Sequence, residues 1–250
     1  MSQHESSPAA HDADLGAGWC DIVGRGRMGH ALADALGAAG VRVRGPLGRG
    51  ALAEDATIVL LCVPDREIAG ASALVPLGAV VGHVSASASL DELAPHERFS
   101  MHPLLSVIGV GAEFTGATCA VDASTPRALA IARSLAERLG MRARAVTAEH
   151  RALYHAAASM ASNYFVTLEW AAERLAVVAG VDRAALVPLV RSSLAQWAER
   201  GAREALTGPI VRGDDATVAR QRDAVALAVP ELLPLWDALA EETRRLAGTT

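Results

Sequence analysis

The stretch WCDIVGRGRMGHALADALGAAG, residues 19–40, decides how the chain is read. Trp19–Val23 is a short apolar run of strand character, and Arg27–Ala39 carries apolar residues at helical spacing. Between them Gly24, Gly26 and Gly29 form a GxGxxG pattern that follows a strand, opens a helix and leads within about 20 residues to a second strand. Each glycine has a physical task there. Gly24 permits the tight turn, Gly26 lets the backbone approach a pyrophosphate, and Gly29 allows close helix–strand packing, while the helix N-terminus favours phosphate charge. Arg27 and Met28, between the last two glycines, join the same contact. The segment predicts a dinucleotide-binding turn.

Working outward, residues 19–146 alternate strand-like and helical runs. The predicted strands are Trp19–Val23, Val41–Arg44, Thr57–Cys62, Ala79–Val84, Arg98–Met101, Ala117–Val121 and Arg142–Val146. The predicted helices are Arg27–Ala39, Asp65–Leu74, Leu90–Leu93 and Pro126–Leu139, with Gly140 ending the last. Such βαβ alternation implies a mainly parallel sheet covered on both faces, the α/β Rossmann-like class. After Thr147 strand signals stop. Helical spacing covers Ala148–Ala179, Arg183–Arg200, Asp215–Leu227 and Glu231–Leu246, with Asp182 and Asp214 as N-caps and Pro188 kinking or starting the second helix. The expected organisation is a polar, disordered tail over 1–18, a dinucleotide-binding domain over 19–146, and an all-α substrate or dimerisation domain over 147–250. A substrate would meet the cofactor in the cleft between the domains.

Composition narrows the function classes. A chain of 250 residues, 51% hydrophobic, can bury a full core. It has no lysine, so all 23 Lys+Arg positions are arginine, and its formal net charge of −5 gives no basic patch for nucleic acid. Cys20, Cys62 and Cys119 lie in apolar runs without ligand spacing, which reads as buried thiols in a reducing compartment. The N-terminus lacks the basic start and apolar centre of a signal peptide, and no apolar stretch is long enough to span a bilayer. The expectation is a cytoplasmic protein with a small-molecule substrate, no nucleic-acid or membrane partner and no metal site, able to form a homodimer through its helical domain.

The cofactor is expected to be NADP rather than NAD. The selecting position is the end of the second strand, where an acidic side chain would bond the ribose 2′-OH and repel a 2′-phosphate. Val41–Gly45 offers none, and no carboxylate follows until Glu54, whereas Arg44 and Arg49 suit a phosphate. Ligands in such sheets lie outside the carboxyl ends of the strands. Val63 and Pro64, after the third strand, and Ser85, after the fourth, should therefore border the cofactor. Asp65 serves equally as a helix N-cap.

The stretches GRGRMGHALADAL, LLCVPDREIA, HVSASASLDEL and MHPLLSV resemble a bacterial family of inferred NADP oxidoreductases that carry a C-terminal domain of unknown function. YHAAASMASNYFVTLEWAA and ALTGPIVRGDDATV are the most specific part of the resemblance, which runs from Trp19 to the C-terminus. The two-domain plan is also similar to the 6-phosphogluconate dehydrogenase-like superfamily, including ketopantoate reductases, 3-hydroxyisobutyrate dehydrogenases and pyrroline-5-carboxylate reductases. The resemblance implies hydride transfer, with 2-dehydropantoate as the most concrete substrate. Two departures stand out. Relatives show Ser-Gly where this chain has Ser85-Ala86, and lysine where it has Arg151. An arginine, with a pKa above about 12, is no general acid near neutral pH.

Carbonyl reduction needs a hydride donor, a group that polarises the oxygen, and a proton source. His155, Ser159 and Asn163 recur at four-residue spacing and share one helical face. The superfamily commonly has lysine and asparagine four apart on this helix, and Ser159 and Asn163 match that spacing with serine for lysine. Asn163 is expected to bind substrate, His155 to donate a hydrogen bond or proton, and Ser159 to orient the carbonyl or a water. In the loop after residue 206, Thr207, Arg212 and Asp214 are substrate-side candidates, Arg212 for a carboxylate. Asp214 is equally an N-cap. His102, at the end of the fifth strand, is a further substrate-side candidate. The leading expectation is an NADP-dependent reductase of a small 2-oxo acid. An NADP-dependent imine reductase of the pyrroline-5-carboxylate type and a non-catalytic NADP-binding sensor or scaffold are the alternatives.

Overall fold

The computed structural model describes residues 18–48, 50–51 and 55–248. The predicted tail therefore falls, but for Gly18, outside the described residues, as do Arg49 and Glu54. Contacts divide the chain into two compact units at residues 160/161, so the helix that begins at Ala148 counts with the first unit.

The first unit is built on seven strands: β1 (Trp19–Val23), β2 (Val43–Leu47), β3 (Ala56–Leu61), β4 (Val80–His83), β5 (Glu97–Pro103), β6 (Thr118–Ala123) and β7 (Arg142–Ala145). They form one sheet in the order β2-β1-β3-β4-β5-β6-β7. Every neighbouring pair is parallel except β5–β6. The crossover elements are α1 (Arg27–Ala38), α2 (Ile68–Ser72, entered through a 3-10 turn at Asp65–Glu67), a 3-10 turn at Leu90–Leu93 and α3 (Pro126–Arg138). The Thr125 hydroxyl accepts from the Ala128 N–H at 3.1 Å and Pro126 occupies the first turn, which together start α3.

Alternation along β3 shows why the sheet is covered on both faces. Ile58 and Leu60 pack with Cys20, Ile22, Leu32, Leu36 and Phe99 on one face. Val59 and Leu61 pack with Val23, Ile68, Val81 and Leu93 on the other. A strand apolar at every position is the expected product of burial on two sides.

The second strand differs from its predicted position. Val41–Arg44 was the expected range, but β2 runs Val43–Leu47 through Gly45-Pro46, a pair that resembles a strand terminator. Two features permit it. β2 is an edge strand, where the backbone N–H that proline lacks is not needed for pairing. Gly45 takes φ +141°, and a Cβ there would lie 2.6 Å from the Ile22 carbonyl oxygen. Arg44 thus lies inside β2 opposite Asp21, upstream of the carboxyl edge. Its Nε donates to Asp21 Oδ1 and its guanidinium NH1 to Asp55 Oδ1, both at 2.6 Å, and it stacks 4.9 Å from the Trp19 ring centroid. Asp21 is wholly buried, so a cation beside it offsets the cost of desolvating its charge.

The single helix expected over Ala148–Ala179 is three segments: α4 (Ala148–Ser159), a π-helical turn (Met160–Tyr164) and α5 (Phe165–Val178). The second unit continues with α6 (Arg183–Arg200), α7 (Ala202–Ala205), α8 (Asp215–Ala228), a 3-10 turn and α9 (Leu233–Ala247). Asp182 and Asp214 cap α6 and α8 as predicted, accepting from Ala185 N–H at 3.1 Å and Thr217 N–H at 3.0 Å. Pro188 sits inside α6, which starts ahead of it at Arg183. No helix among the described residues is long and apolar enough to cross a membrane.

Two outcomes follow from these burials. Arg44→Ala leaves the Asp21 carboxylate short of its cation and is expected to cost about 1–3 kcal/mol, read as a lower thermal midpoint. His83, wholly buried in β4, is held neutral by desolvation, with Arg151 also opposing its charge, so that its pKa falls to about 4 from an ordinary 6.5. Because the unfolded chain then binds the proton more readily, this histidine's stabilisation is complete above the unfolded pKa and drains away as pH falls from 6.5 toward 4. Urea midpoints measured across that window should fall with pH, and the slope should ease in His83→Gln.

Candidate functional site

Strand order locates the site. From β1 the chain crosses to β2 on one side, then returns to β3 on the other, so the carboxyl ends of β1 and β3 diverge into a crevice. A cavity of about 700 Å³ lies there. The Gly24–Gly26 turn, Leu47, Gly48 and Gly50 after β2, and Cys62–Pro64 after β3 line it, with α2 residues closing the far wall.

The three glycines perform distinct roles. Gly24 has φ +122°, and a Cβ on it would lie 2.2 Å from the Cys62 carbonyl oxygen. A Cβ on Gly29 would lie 1.9 Å from the Gly24 carbonyl oxygen. Both glycines exist because backbone meets backbone. At Gly26, the N-cap residue of α1, a Cβ would meet nothing within 4 Å, so it would occupy the cavity itself. That open backbone, at the positive end of a 12-residue helix, has the shape and polarity a pyrophosphate requires.

The other cofactor-side predictions divide. Val63 and Pro64 line the cavity. Arg27 is exposed on the first turn of α1, and Met28 packs against the core. Ser85 is buried and its hydroxyl oxygen accepts from the N–H groups of Ser87 (3.1 Å) and Ala88 (2.9 Å), which shapes the turn after β4. Among the described residues no non-glycine has positive φ, so Ala86 sits without strain where relatives have glycine. Arg44 is bound to Asp21 and Asp55. The residue sequence reasoning missed is Arg25, which lines the cavity beside Gly48 and is exposed. Its guanidinium carbon lies 3.5 Å from where a Gly48 Cβ would stand. The motif itself held the signal, since Arg25 lies between its first two glycines.

A second group of polar side chains gathers at the ends of β4 and β5. The Ser87 hydroxyl donates to the Asp65 carboxylate, which adjoins the cavity residues Pro64 and Arg66. His102, half-buried near the end of β5, has its Nδ1 2.9 Å from the Tyr154 hydroxyl of α4. The rings meet edge to face, with centroids 5.7 Å apart. Burial holds His102 down at about 4, with the neighbouring His155 adding to the effect and the Asp65 charge opposing it. Burial raises the Tyr154 phenol to about 12. Both rings are therefore neutral through the physiological range. Arg151, one turn before Tyr154, donates to Asp122 Oδ2 at 2.9 Å and to the Ser100 hydroxyl at 3.3 Å. Arg151 is thereby held as a structural cation.

The predicted catalytic stripe is split. His155 is exposed and Ser159 half-buried on α4, whereas Asn163 lies in the π-helical turn, where its Oδ1 accepts from the Ser162 hydroxyl at 3.1 Å. The regular four-residue register that would align Asn163 with Ser159 ends at Met160. Thr207 lines an apolar cavity of about 390 Å³ within the second unit, beside Pro209, Leu175 and Trp236. Asp214 is the α8 cap, its carboxyl held below the ordinary range by its bonds to Thr217, and Arg212 is exposed. Among the described residues no group of His, Cys, Asp or Glu side chains could hold a metal ion.

Comparison with known proteins agrees with this architecture. A proposed NADP oxidoreductase from Bacteroides fragilis superposes with a TM-score of 0.78 at 18% identity, covering 91% of this chain and 98% of the other. A Thermotoga maritima protein gives 0.77 at 23% identity, covering 92% and 98%. A 1-pyrroline-5-carboxylate reductase from Streptococcus pyogenes gives 0.58 at 13%, covering 93% and 99%. These likenesses are of fold. No curated protein matches the sequence. The family model described as "Domain of unknown function (DUF2520)" matches residues 117–243, half of the chain, and to that family this protein belongs.

Proposed function

We propose that the protein is an NADP-dependent oxidoreductase that reduces a small 2-oxo acid, with 2-dehydropantoate as the first substrate to try. The observation that carries this reading is the cavity at the β1/β3 divergence, with Gly26 opening its backbone into it at the head of α1. NADP(H) would lie with its pyrophosphate on the Gly24–Gly26 turn and its adenosine ribose toward Gly48 and Gly50. The bound cofactor supplies hydride. The chain's part is to hold it at the carboxyl edge and to bind, orient and protonate the substrate.

The choice of NADP survives the shift of β2. The residues that follow the strand are Gly48, Arg49, Gly50 and Ala51, still without a carboxylate to repel a 2′-phosphate. Arg25, beside Gly48 on the cavity wall, takes over the phosphate role expected of Arg44, and Arg49 stays a phosphate candidate on the sequence alone. His155, Ser159 and Asn163 remain the proposed substrate-side residues from the helical segments, with Thr207 and Arg212 as further contacts.

Imine reduction is the second reading. The fold is shared with two pyrroline carboxylate reductases, from Streptococcus pyogenes and Plasmodium falciparum. A cyclic imine that arrives protonated asks no proton of a chain without lysine. In either case we place the protein in the cytoplasm, where its three buried free thiols stay reduced.

The second unit supports a homodimer as part of this reading. α6 buries none of its residues, and α9 none. Trp170, Trp197, Leu189 and Val177 are each more than half exposed. An apolar surface of that extent on a few helices marks an interface, and a second copy of the same helices offers a matching one.

Fluorescence titration tests the cofactor assignment. NADPH should bind in the micromolar range and NADH far more weakly. Arg25→Ala should weaken NADPH about tenfold, as the loss of one charge-assisted contact does, and leave NADH unchanged, while Arg44→Ala should leave both. Gly26→Val should abolish NADPH binding without lowering the thermal midpoint. Failure of the wild type to bind either nucleotide would sink the reading. Light scattering after size exclusion should give twice the 25.9 kDa chain mass, and Trp197→Glu should shift it toward the monomer.

A further inference from the structure

The His102–Tyr154 pair belongs neither to the glycine loop nor to the buried core of the sheet. β5 runs parallel to β4, β3 and β1, so its carboxyl end opens on the edge where the cavity lies. Asp65, whose neighbours Pro64 and Arg66 line the cavity, reaches Ser87 in the turn after β4 and acts electrostatically on His102. Tyr154, half-buried, faces a shallow depression with Ala86, Ser100, His102 and Arg151. Arg151 and Tyr154 are three apart on α4, so the bonds of Arg151 to Asp122 and Ser100 fix the helical face that carries the phenol.

From this geometry we propose that the Tyr154 hydroxyl delivers the proton to the substrate carbonyl oxygen, and that His102, donating its Nδ1–H to the phenolic oxygen, positions it and stabilises the phenolate left behind. The proposal rests on the reductase reading above. A hydride with its electron pair forms the new C–H bond at the carbonyl carbon, and the π pair of the carbonyl moves onto its oxygen. The Tyr154 O–H bond breaks and its proton goes to that oxygen, giving the alcohol. The cofactor is oxidised, the carbonyl is reduced, and a proton from water restores the phenol.

Elimination supports the choice of residue. A guanidinium is no general acid, and that of Arg151 is already paired with Asp122. His102 is neutral, so it holds no imidazolium proton to give, and a neutral imidazole N–H is a far weaker acid than a phenol. The Ser85 hydroxyl, whose oxygen accepts from two backbone N–H groups, is an aliphatic alcohol and a far weaker acid than a phenol. Tyr154 alone in this group combines an acidic O–H, a donor ready to stabilise its anion, and partial exposure to the depression.

Two measurements test this. The first needs no substrate. Nitrogen NMR of the histidine rings at neutral pH, with the His102 signals assigned by their loss in His102→Asn, should show Nδ1 protonated and Nε2 bare. The Nε2–H tautomer would make Tyr154 the donor to His102 and overturn the proposal. The second follows NADPH consumption by the full chain with 2-oxo acids, 2-dehydropantoate among them, and with pyrroline-5-carboxylate. Tyr154→Phe should lower kcat on the oxo acid about a hundredfold, the low end for general acid catalysis, with NADPH affinity and KM little changed. Its turnover of the protonated imine should be spared. Equal kcat for Tyr154→Phe and wild type on an oxo acid overturns the proposal. A wild type that binds NADPH yet reduces no oxo acid overturns the oxo-acid reading, and the proton assignment with it, while the nucleotide site stands.

Discussion

The structure depends on the close approach of the turn after β1 to the end of β3. The Gly24 carbonyl stands where a side chain on Gly29 would be, and the Cys62 carbonyl stands where one on Gly24 would be. That contact brings α1 down onto the sheet, so Leu32 and Leu36 reach the core beside Ile22 and Leu60. It also sets Gly26, the N-cap residue of α1, on the wall of the crevice that the strand order opens. Fold and binding site thus come from one steric requirement, and Gly26, which that requirement does not touch, is free to serve a ligand.

Electrostatics then divides the arginines between architecture and chemistry. A chain with 23 cations and no lysine has many residues that look suited to a phosphate. Carboxylates of the sheet claim Arg44 and Arg151 among them. Asp21 is buried in β1 and Asp122 lies half-buried in β6. Arg44 and Arg151 bond to these carboxylates at 2.6 and 2.9 Å. A buried carboxylate demands a cation with more force than a surface phosphate site does, because the alternative is an unpaired charge at low dielectric. Among the described residues no carboxylate pairs with Arg25, which lies on the cavity wall.

The helical unit has a different economy. Its internal core is small, gathered around Ala171, Val225, Val229 and Leu232, while large apolar side chains on α5 and α6 stay exposed. The low burial explains why its sequence is hard to read: with apolar residues all round a helix, spacing no longer says which face is covered. The π-helical turn at Met160–Tyr164 compounds this, since a four-residue count carried from His155 through Ser159 assumes a regular helix where the chain widens.

The sequence by itself determined the class of fold, the position of β1 and α1, the helical second half and the caps at Asp182 and Asp214. All of these are local: a glycine spacing, an alternation of apolar residues, a side chain that bonds an N–H three residues on. Val63 and Pro64 line the cavity for a local reason too, since they directly follow the end of β3. Tertiary structure decided what depends on partners far along the chain. It ran β2 through Gly45-Pro46 because that strand is an edge, and it gave Arg44 to Asp21, 23 residues earlier. It joined His102 to Tyr154 across 52 residues. No spacing rule reaches that far, because such pairs are set by strand order and by the need of buried polar groups to find one another.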